Sequence, residues 1–209
     1  MSAPAAVKHL VSTRLPTEFG DFQLHLFADA SGKEHLAMLH GELQQDAPTL
    51  VRVHSECFTG EVLRSLRCDC GEQLRLSLQA IAAAGRGVLI YLRQEGRGIG
   101  LYEKLRAYNL QDEGLDTVEA NLALGHQADA RNYDVAAHIL SQLGIAQIAL
   151  LTNNPNKIEE LQRLGISVTE RLPLEGAVNP ENARYLHTKV DRMQHLLKLP
   201  RSTNSNGAA

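Results

Sequence analysis

The chain has 209 residues, of which 44% are hydrophobic and 22% charged, and its formal net charge is -3. These values are typical of one globular domain with a hydrophobic core, and they argue against a disordered, collagen-like or coiled-coil chain. We find no run near the roughly 20 apolar residues of a membrane span and no signal-peptide pattern at the N-terminus, which predicts a cytoplasmic protein. The slight acidity argues against a protein that coats nucleic acid.

Both ends of the chain are rich in small and polar residues. We therefore predict flexible tails at 1–11 and 199–209 and an ordered core at about 12–198, within a single domain that spans residues 1–209.

The N-terminal part is predicted to be β-rich. Phe22, Leu24 and Leu26 alternate with polar neighbours, which is the period of a half-buried strand. Two further short strands are predicted at 34–40 and 50–54.

The rest of the chain alternates between helical and strand patterns. Apolar residues at helical spacing predict helices at 72–84, 99–111, 133–143, 156–164 and 187–197. Short apolar runs predict strands at 88–92, 147–151 and 166–172. Helices that end at glycine and are followed by such runs indicate crossover connections. We therefore predict a mixed α/β fold in which a β-rich N-terminal part precedes alternating helices and strands with a partly parallel sheet.

Positive charge is concentrated in one part of the chain. Between Arg52 and Arg106 there are nine basic residues, eight of them arginine, and six acidic ones. The planar guanidinium suits bidentate recognition of phosphate or carboxylate better than the point charge of lysine. The window therefore predicts an anion site, with a solvated charged surface as the alternative.

Three cysteines, Cys57, Cys68 and Cys70, lie within fourteen residues. An odd number in a cytoplasmic chain argues against disulfides, whereas three thiolates can hold zinc and leave its fourth position to water or substrate. His54 is a candidate fourth ligand, and small buried cysteines without a metal remain an alternative.

Residues 93–100, with the sequence RQEGRGIG, form a glycine-rich turn between a predicted strand and a predicted helix. The free amides of such a turn can receive an anion, although glycines there can also serve backbone geometry alone. A metal that activates water beside this turn and the arginines would hydrolyse a phosphorylated substrate.

Five sequence blocks resemble the motifs of the GTP cyclohydrolase II family, in the same order. They are RVHSEC at 52–57, SLRCDCG at 65–71, RQEGR at 93–97, DTVEAN at 116–121 and LTNNP at 151–155. The resemblance covers about residues 15–197. It implies a GTP cyclohydrolase II-like fold and a single catalytic domain. It also implies that GTP is converted to 2,5-diamino-6-(ribosylamino)pyrimidin-4-one 5'-phosphate with release of formate and pyrophosphate, the first step of riboflavin biosynthesis.

The resemblance also assigns site residues. It implies one Zn²⁺ per subunit on Cys57, Cys68 and Cys70, a requirement for Mg²⁺, and a homodimer. His54 then becomes a neighbour of the metal and not a ligand. The implied GTP contacts are Arg52, Val53, His54, Ser55, Glu56, Gln73, Glu95, Gly96, Arg97, Thr117, Thr152 and Lys157.

Three catalytic residues are implied in the same way. Asp129 matches a proton acceptor and Arg131 a nucleophile toward the α-phosphorus. However, a guanidinium with a pKa above ~12 favours stabilisation of charge as the role of Arg131. Tyr108 matches a tyrosine that is linked to completing the reaction, although its helical spacing alone fits a core position equally well.

Two alternatives stay open. One is a paralogue that stops at the formamidopyrimidine or uses another purine nucleotide, against which Tyr108 and Gln73 argue. The other is a non-catalytic zinc-stabilised nucleotide- or RNA-binding module, against which the 4% aromatic content and absence of tryptophan argue. The chain departs from the family pattern at Gly98, His126 and Gln194, none of which is a matched ligand.

Overall fold

A mixed sheet of seven strands organises the computed structural model, which describes residues 7–44 and 46–199. In chain order, the strands are β1 (Lys8–Thr17), β2 (Gly20–Ala28), β3 (Glu34–His40), β4 (Thr49–Ser55), β5 (Gly87–Leu92), β6 (Gln147–Leu151) and β7 (Ser167–Leu172). Their order across the sheet is β1-β2-β3-β5-β4-β6-β7.

Helices connect and cover these strands. They are α1 (Phe58–Glu61), α2 (Cys70–Ala83), α3 (Gly100–Asp112), α4 (Thr117–Ala123), α5 (Asp134–Gln142), α6 (Pro155–Arg163) and α7 (Ala183–Met193), with a 3₁₀ turn at Glu95–Gly98. None of the helices in the described part of the chain has the length and apolar character needed to cross a membrane.

The sheet has an antiparallel half and a parallel half. Strands β1, β2, β3 and β5 pair antiparallel, whereas β5, β4, β6 and β7 pair parallel. This arrangement confirms the predicted mixed α/β fold with a partly parallel sheet. The carboxyl ends of β4, β5 and β6 lie at one edge, where Ser55 is in register with Leu92. Open α/β sheets commonly bind ligands at this edge.

Both faces of the central strands are buried. Along β5, Val88 and Ile90 belong to a large core beneath α5 and α6, whereas Leu89 packs on the opposite face with Ile81 of α2. Successive side chains of a strand point to opposite faces, so a strand covered on both sides is a continuous apolar run. The run at 88–92 therefore predicted a central strand, and the structure confirms it.

Most predicted elements lie where the sequence placed them, and those at 34–40 and 147–151 coincide with β3 and β6. The prediction of a tail over 1–11 is wrong for its last residues, because residues 8–11 lie in β1 and the carbonyl of buried Val7 accepts a hydrogen bond from Gln142 Nε2 at 2.6 Å. The predicted tail residues 1–6 and 200–209 lie outside the described residues.

The bounds of the helix predicted at 187–197 are wrong by four residues at each end: α7 begins at Ala183 and ends at Met193. Gln194 ends it by adopting the left-handed conformation, with φ of 56°. The Gln194 N–H donates to the carbonyl of Val190 at 3.2 Å, as in a left-handed helix cap. The chain then turns back toward the sheet instead of continuing along the helix axis.

Replacing Gln194 with glycine should stabilise the protein. A side chain with a Cβ is strained by about 1 kcal/mol in the left-handed region, and glycine is not. We expect a melting temperature about 2–4 °C higher by calorimetry. Gln194→Ala is the matched control, because it retains the Cβ and should give no gain. An unchanged melting temperature in the glycine variant would contradict this account of the helix end.

Candidate active site

The three cysteines form one compact cluster. Cys57 follows β4, whereas Cys68 and Cys70 stand at the start of α2, and their sulfur atoms all lie within 4.8 Å of one another. The Sγ atoms of Cys57 and Cys68 are 3.7 Å apart. Two sulfurs bound tetrahedrally to one zinc ion at about 2.3 Å would lie about 3.8 Å apart. The cluster therefore has a spacing at which it could hold a metal ion.

Gly60 provides the space behind this cluster. A Cβ at this position would lie 2.7 Å from the Sγ of Cys68 and 3.2 Å from the Sγ of Cys57. Both distances are too short for the sulfurs to stay where they are. A residue without a side chain is thus required beside the cysteines.

Replacing Gly60 with alanine should weaken metal binding by about 10-fold or more, in the range seen for changes next to metal ligands. The added methyl group would displace two of the three sulfurs. Competition with a chromophoric chelator measures the affinity. Gly144→Ala is the control: its methyl group enters open space in the turn before β6, and although the left-handed backbone there, with φ of 73°, makes this variant less stable, its metal affinity should not change. Equal metal affinity in the Gly60 variant and the wild type would contradict the expectation.

A lysine of α3 carries positive charge to the cluster. Lys104 Nζ donates hydrogen bonds to Cys57 Sγ at 3.1 Å and to Glu95 Oε1 at 2.7 Å. Hydrogen bonds from the Cys68 and Cys70 thiols, together with Lys104, lower the pKa of Cys57 despite its burial. The pKa of Cys68 is raised to about 11, first by its hydrogen bond with Cys57. A metal cation would displace the remaining thiol protons.

Tyr108 lies beside the cysteines and not in the core. Its hydroxyl is 3.1 Å from Thr59 Oγ1, and the Arg67 guanidinium lies 4.9 Å from the centre of its ring. The other apolar residues on this helical face, Leu101 and Leu105, are 36% and 45% exposed. The apolar face of α3 is therefore partly exposed and is not a core face. Tyr108 lines the cavity next to the cysteines.

A buried polar network connects β4 to the cysteine loop. Arg52 donates to the Leu151 carbonyl at 2.9 Å and to Gln73 Oε1 at 2.6 Å. Gln73 in turn donates to Asp69 Oδ2 at 2.6 Å, and Lys189 donates to Asp69 Oδ1 at 2.7 Å. Each side chain has at least one partner, and only Arg52 Nε among the polar side-chain atoms of the network is buried without one in the described chain. Such bonds hold the side chains in fixed positions. Asp69, between Cys68 and Cys70, anchors the loop through this network.

Lys157 reaches the same region from α6. Its Nζ donates to the Val53 carbonyl at 2.6 Å, and burial, together with Arg52 and Arg131, lowers the pKa of Lys157 well below its ordinary value. Only the carbonyl of Val53 is turned toward the site, because its side chain lies in the core. Basic groups held this close together disfavour one another's charge, and a bound anion would favour the charged form of Lys157.

Asp129 and Arg131 form a salt bridge ahead of α5. Arg131 Nε donates to Asp129 Oδ1 at 2.8 Å, and a second nitrogen of the guanidinium contacts Asp129 Oδ2. Burial opposes the charge of Arg131, but Tyr133 and Asp129 outweigh it and raise the pKa of Arg131. The guanidinium is therefore protonated throughout the neutral range.

The glycine-rich turn completes the wall next to the cysteines. Gly96 and Arg97 both have φ of 61°, and Glu95 accepts hydrogen bonds from the backbone N–H groups of Phe58 at 2.6 Å and Gly96 at 2.8 Å. The two terminal nitrogens of Arg97 are buried and have no partner in the described chain. Thr117 faces the turn from the start of α4.

Two adjoining cavities collect most of the predicted residues. The cysteine cavity holds the three cysteines, Tyr108, Lys104 and the glycine-rich turn. The cation cavity holds Arg52, His54, Gln73, Thr152 and Lys157. They share the lining residues Ser55, Cys70, Arg97, Arg131 and Tyr185. Of the predicted site residues, Val53 and Asp129 do not line either cavity, and each contacts a residue that does.

His54 lies outside the cysteine cluster, and the resemblance likewise implied that it is not a metal ligand. Its Nε2 atom is paired with Glu61 Oε1 at 2.7 Å, and the ring stacks on Tyr91 with 5.7 Å between ring centres. Burial lowers the pKa of His54 despite this carboxylate. The imidazole therefore supports α1, which carries Gly60 against the cysteines.

The family model for GTP cyclohydrolase II matches residues 8–173. The chain belongs to this family.

Curated relatives agree with this membership in the GTP cyclohydrolase II family. A GTP cyclohydrolase-2 of Neisseria meningitidis is 53% identical over 91% of this chain and 97% of its own length, and one of Azotobacter vinelandii is 56% identical over 92% and 93%. A riboflavin biosynthesis protein of Vibrio vulnificus is 55% identical over 91% of this chain and 52% of its own. Among solved structures, a two-domain 3,4-dihydroxy-2-butanone 4-phosphate synthase from A. baumannii shares 23% identity over 82% of this chain and 40% of its own, with a TM-score of 0.47.

The sequence reasoning missed several residues that line the cavities of this GTP cyclohydrolase II family member, among them Lys104, Tyr185, Lys189 and His195. Lys104 stands one helical turn before Tyr108, so the helical spacing could have found it. The other three, Tyr185, Lys189 and His195, follow the segment that the family model matches. No local pattern marked them, because their role depends on where α7 returns to the sheet.

Proposed function

We propose that the protein is a zinc-dependent GTP cyclohydrolase II that converts GTP to 2,5-diamino-6-(ribosylamino)pyrimidin-4-one 5'-phosphate, with release of formate and pyrophosphate, as the first step of riboflavin biosynthesis. We further propose that residues 1–209 form one catalytic domain. The observation that carries this proposal is the adjacency of two cavities that share five lining residues, one with a metal-competent cysteine cluster and the other with buried basic side chains. In this proposal one phosphorylated substrate would extend across both.

The metal in this proposal is one Zn²⁺ per subunit, held by Cys57, Cys68 and Cys70. A set of three thiolates leaves the fourth tetrahedral position open, as in catalytic zinc sites. A zinc ion bound there would polarise a water molecule and lower its pKa from ~15.7 toward ~7. Tyr108 would place its hydroxyl against the reacting end of the base, and Lys104 would keep the Cys57 sulfur charged.

The proposed GTP contacts divide between the two cavities. Those that support the base and ribose would lie in the cysteine cavity, namely Ser55, Glu56, Glu95, Gly96 and Thr117. Those that hold the triphosphate would lie in the cation cavity, namely Arg52, His54, Gln73, Arg97, Thr152 and Lys157, with the carbonyl of Val53 holding Lys157. Mg²⁺ would neutralise part of the triphosphate charge and retain several of its water molecules.

For Arg131 we propose stabilisation of charge on the α-phosphate and not nucleophilic attack. A guanidinium whose pKa is raised further by its surroundings has no free lone pair with which to attack phosphorus. Asp129 orients it through two contacts and keeps it charged. Such a fixed cation stabilises a phosphoryl transition state without reorganisation.

We also propose a cytoplasmic homodimer. Free cysteines that bind a metal suit a reducing compartment. Apolar side chains are exposed on three segments close to the cysteine cavity, which is typical of an interface. They are Phe58, Val62, Leu63 and Leu66 around α1, Leu101, Tyr102 and Leu105 on α3, and Leu122 on α4.

Incubation of zinc-loaded protein with GTP and Mg²⁺ tests the proposal. We expect equal amounts of formate and pyrophosphate, together with a nucleotide product of the diaminopyrimidine mass. Pyrophosphate without formate would indicate a paralogue that stops at the formamidopyrimidine. Neither product would favour the nucleotide- or RNA-binding module, whose binding would depend strongly on salt.

A further inference from the structure

A residue of the C-terminal segment that lines the cation cavity has a buried nitrogen without a partner. His195 lines this cavity, and its Nε2 atom is buried and has no hydrogen-bond partner among the described residues. Buried polar side-chain atoms are paired in the large majority of cases. An unpaired buried nitrogen at a cavity wall therefore points to a group that binds inside the cavity.

The backbone holds His195 in this position. After the left-handed Gln194, the N–H of His195 donates to the Lys189 carbonyl at 2.9 Å, and the N–H of Leu196 donates to the Asn153 carbonyl at 2.8 Å. Asn153 follows Thr152, one of the proposed GTP contacts. The imidazole is thus positioned by main-chain bonds to the cavity wall, which leaves Nε2 available.

The charge of the cation cavity identifies the chemical class of the ligand. Its described lining contains no carboxylate and five basic side chains, Arg52, Arg97, Arg131, Lys157 and Lys189. Salt bridges with Asp129 and Asp69 neutralise Arg131 and Lys189, which leaves three of the five without a carboxylate in salt-bridge contact. An anion with several negative charges, such as a pyrophosphate group, matches this excess.

We propose that His195 is a further substrate-binding residue, whose Nε2–H donates a hydrogen bond to a phosphate oxygen in the cation cavity. This role rests on the proposed function for the identity of the nucleotide, GTP. Burial first, and then Lys189 and Arg131, lower the pKa of His195 to about 3, so the ring is neutral and can carry its proton on Nε2. His195 lies beyond the segment that the family model matches, so residues after 173 complete the site.

Calorimetric titration of the zinc-loaded, full-length protein with pyrophosphate tests this role. Loss of one hydrogen bond to a charged group should weaken pyrophosphate binding about 10-fold or more in His195→Ala and in His195→Phe. His195→Gln keeps an N–H donor and should recover part of the affinity. Guanosine, which has no phosphate, should bind all variants equally. His187→Ala is the control, because His187 lies on α7, the helix that precedes His195, and outside the lining of the cavity.

Unchanged pyrophosphate affinity in the Ala and Phe variants, at full zinc content, would overturn the role of His195. So would an equal loss of affinity for guanosine and pyrophosphate, because that indicates a structural effect. If the alanine variant does not fold, the pyrophosphate affinities of His195→Phe and His195→Gln are compared instead. Equal affinities in these two variants would overturn the role of His195. If the wild type does not turn over GTP, the proposed function is refuted but the role of His195 is not. Pyrophosphate binding would still measure the contribution of His195.

Discussion

Replacing Cys68 with serine should remove the metal and formate release together. Cys68 Sγ lies 3.7 Å from Cys57 Sγ, and a metal that loses one of three thiolates has only two protein ligands in the cluster. We expect a loss of metal affinity and of formate release greater than the roughly 10–100-fold effect of changes next to metal ligands. Elemental analysis gives the metal content, and a formate dehydrogenase assay gives the product.

The cation cavity provides an internal check on this variant. Arg52 and Lys157 contact β-strand carbonyls and not the cysteine sulfurs, so pyrophosphate should still bind to Cys68→Ser. Ser65→Ala is the control in the same loop, because it keeps all three sulfurs and should retain metal and activity. Undiminished formate release by metal-free Cys68→Ser protein would refute the zinc-dependent reaction.

Replacing Arg131 with methionine should lower kcat for pyrophosphate release by about 10²–10³-fold, the usual loss when one group that stabilises transition-state charge is removed. Arg131→Lys should recover part of this rate, because a lysine retains the positive charge without the planar fork. Asp129 would keep its position in the lysine variant and lose its partner in the methionine variant. Steady-state kinetics with GTP and Mg²⁺ measure both.

The matched control for this pair of variants is Arg163→Met. Arg163 forms a comparable salt bridge with Glu160, but on the exposed side of α6, where such pairs contribute little. It should leave kcat unchanged. An Arg131→Met enzyme within a few-fold of the wild-type rate would contradict stabilisation of charge by this guanidinium. Loss of all activity in Arg131→Lys as well would instead favour a requirement for the guanidinium itself.

Local sequence patterns predicted the elements whose burial is regular. The run at 88–92 is apolar throughout and forms the central β5, whereas the alternation of Phe22 with polar neighbours marks the first half of β2, in which a buried side chain lies between two exposed ones. Strand β1 was not predicted, because most of its side chains are exposed and carry no period. Its strand conformation comes from pairing with β2, in which Lys8 is opposite Ala28.

The same distinction holds for the candidate site. The three cysteines are within fourteen residues of one another, so the sequence alone indicated a metal cluster, and the resemblance of five blocks added the GTP contacts. No spacing in the sequence showed that Gly60 must lack a side chain. That requirement follows from the cysteine sulfur atoms, which lie 2.7 Å and 3.2 Å from the position that a Cβ of residue 60 would occupy.

The sequence by itself determined the mixed α/β class, the positions of most helices and strands, the metal-competent cysteines and the family resemblance. These depend on periodicity and short spacings, which are properties of neighbouring residues. Only the tertiary structure decided that Lys189 forms a salt bridge with Asp69, 120 residues earlier, and that His195 lines the cation cavity. Such contacts depend on how parallel strands align their ends and where α7 returns to the sheet, and no local pattern of residues encodes that packing.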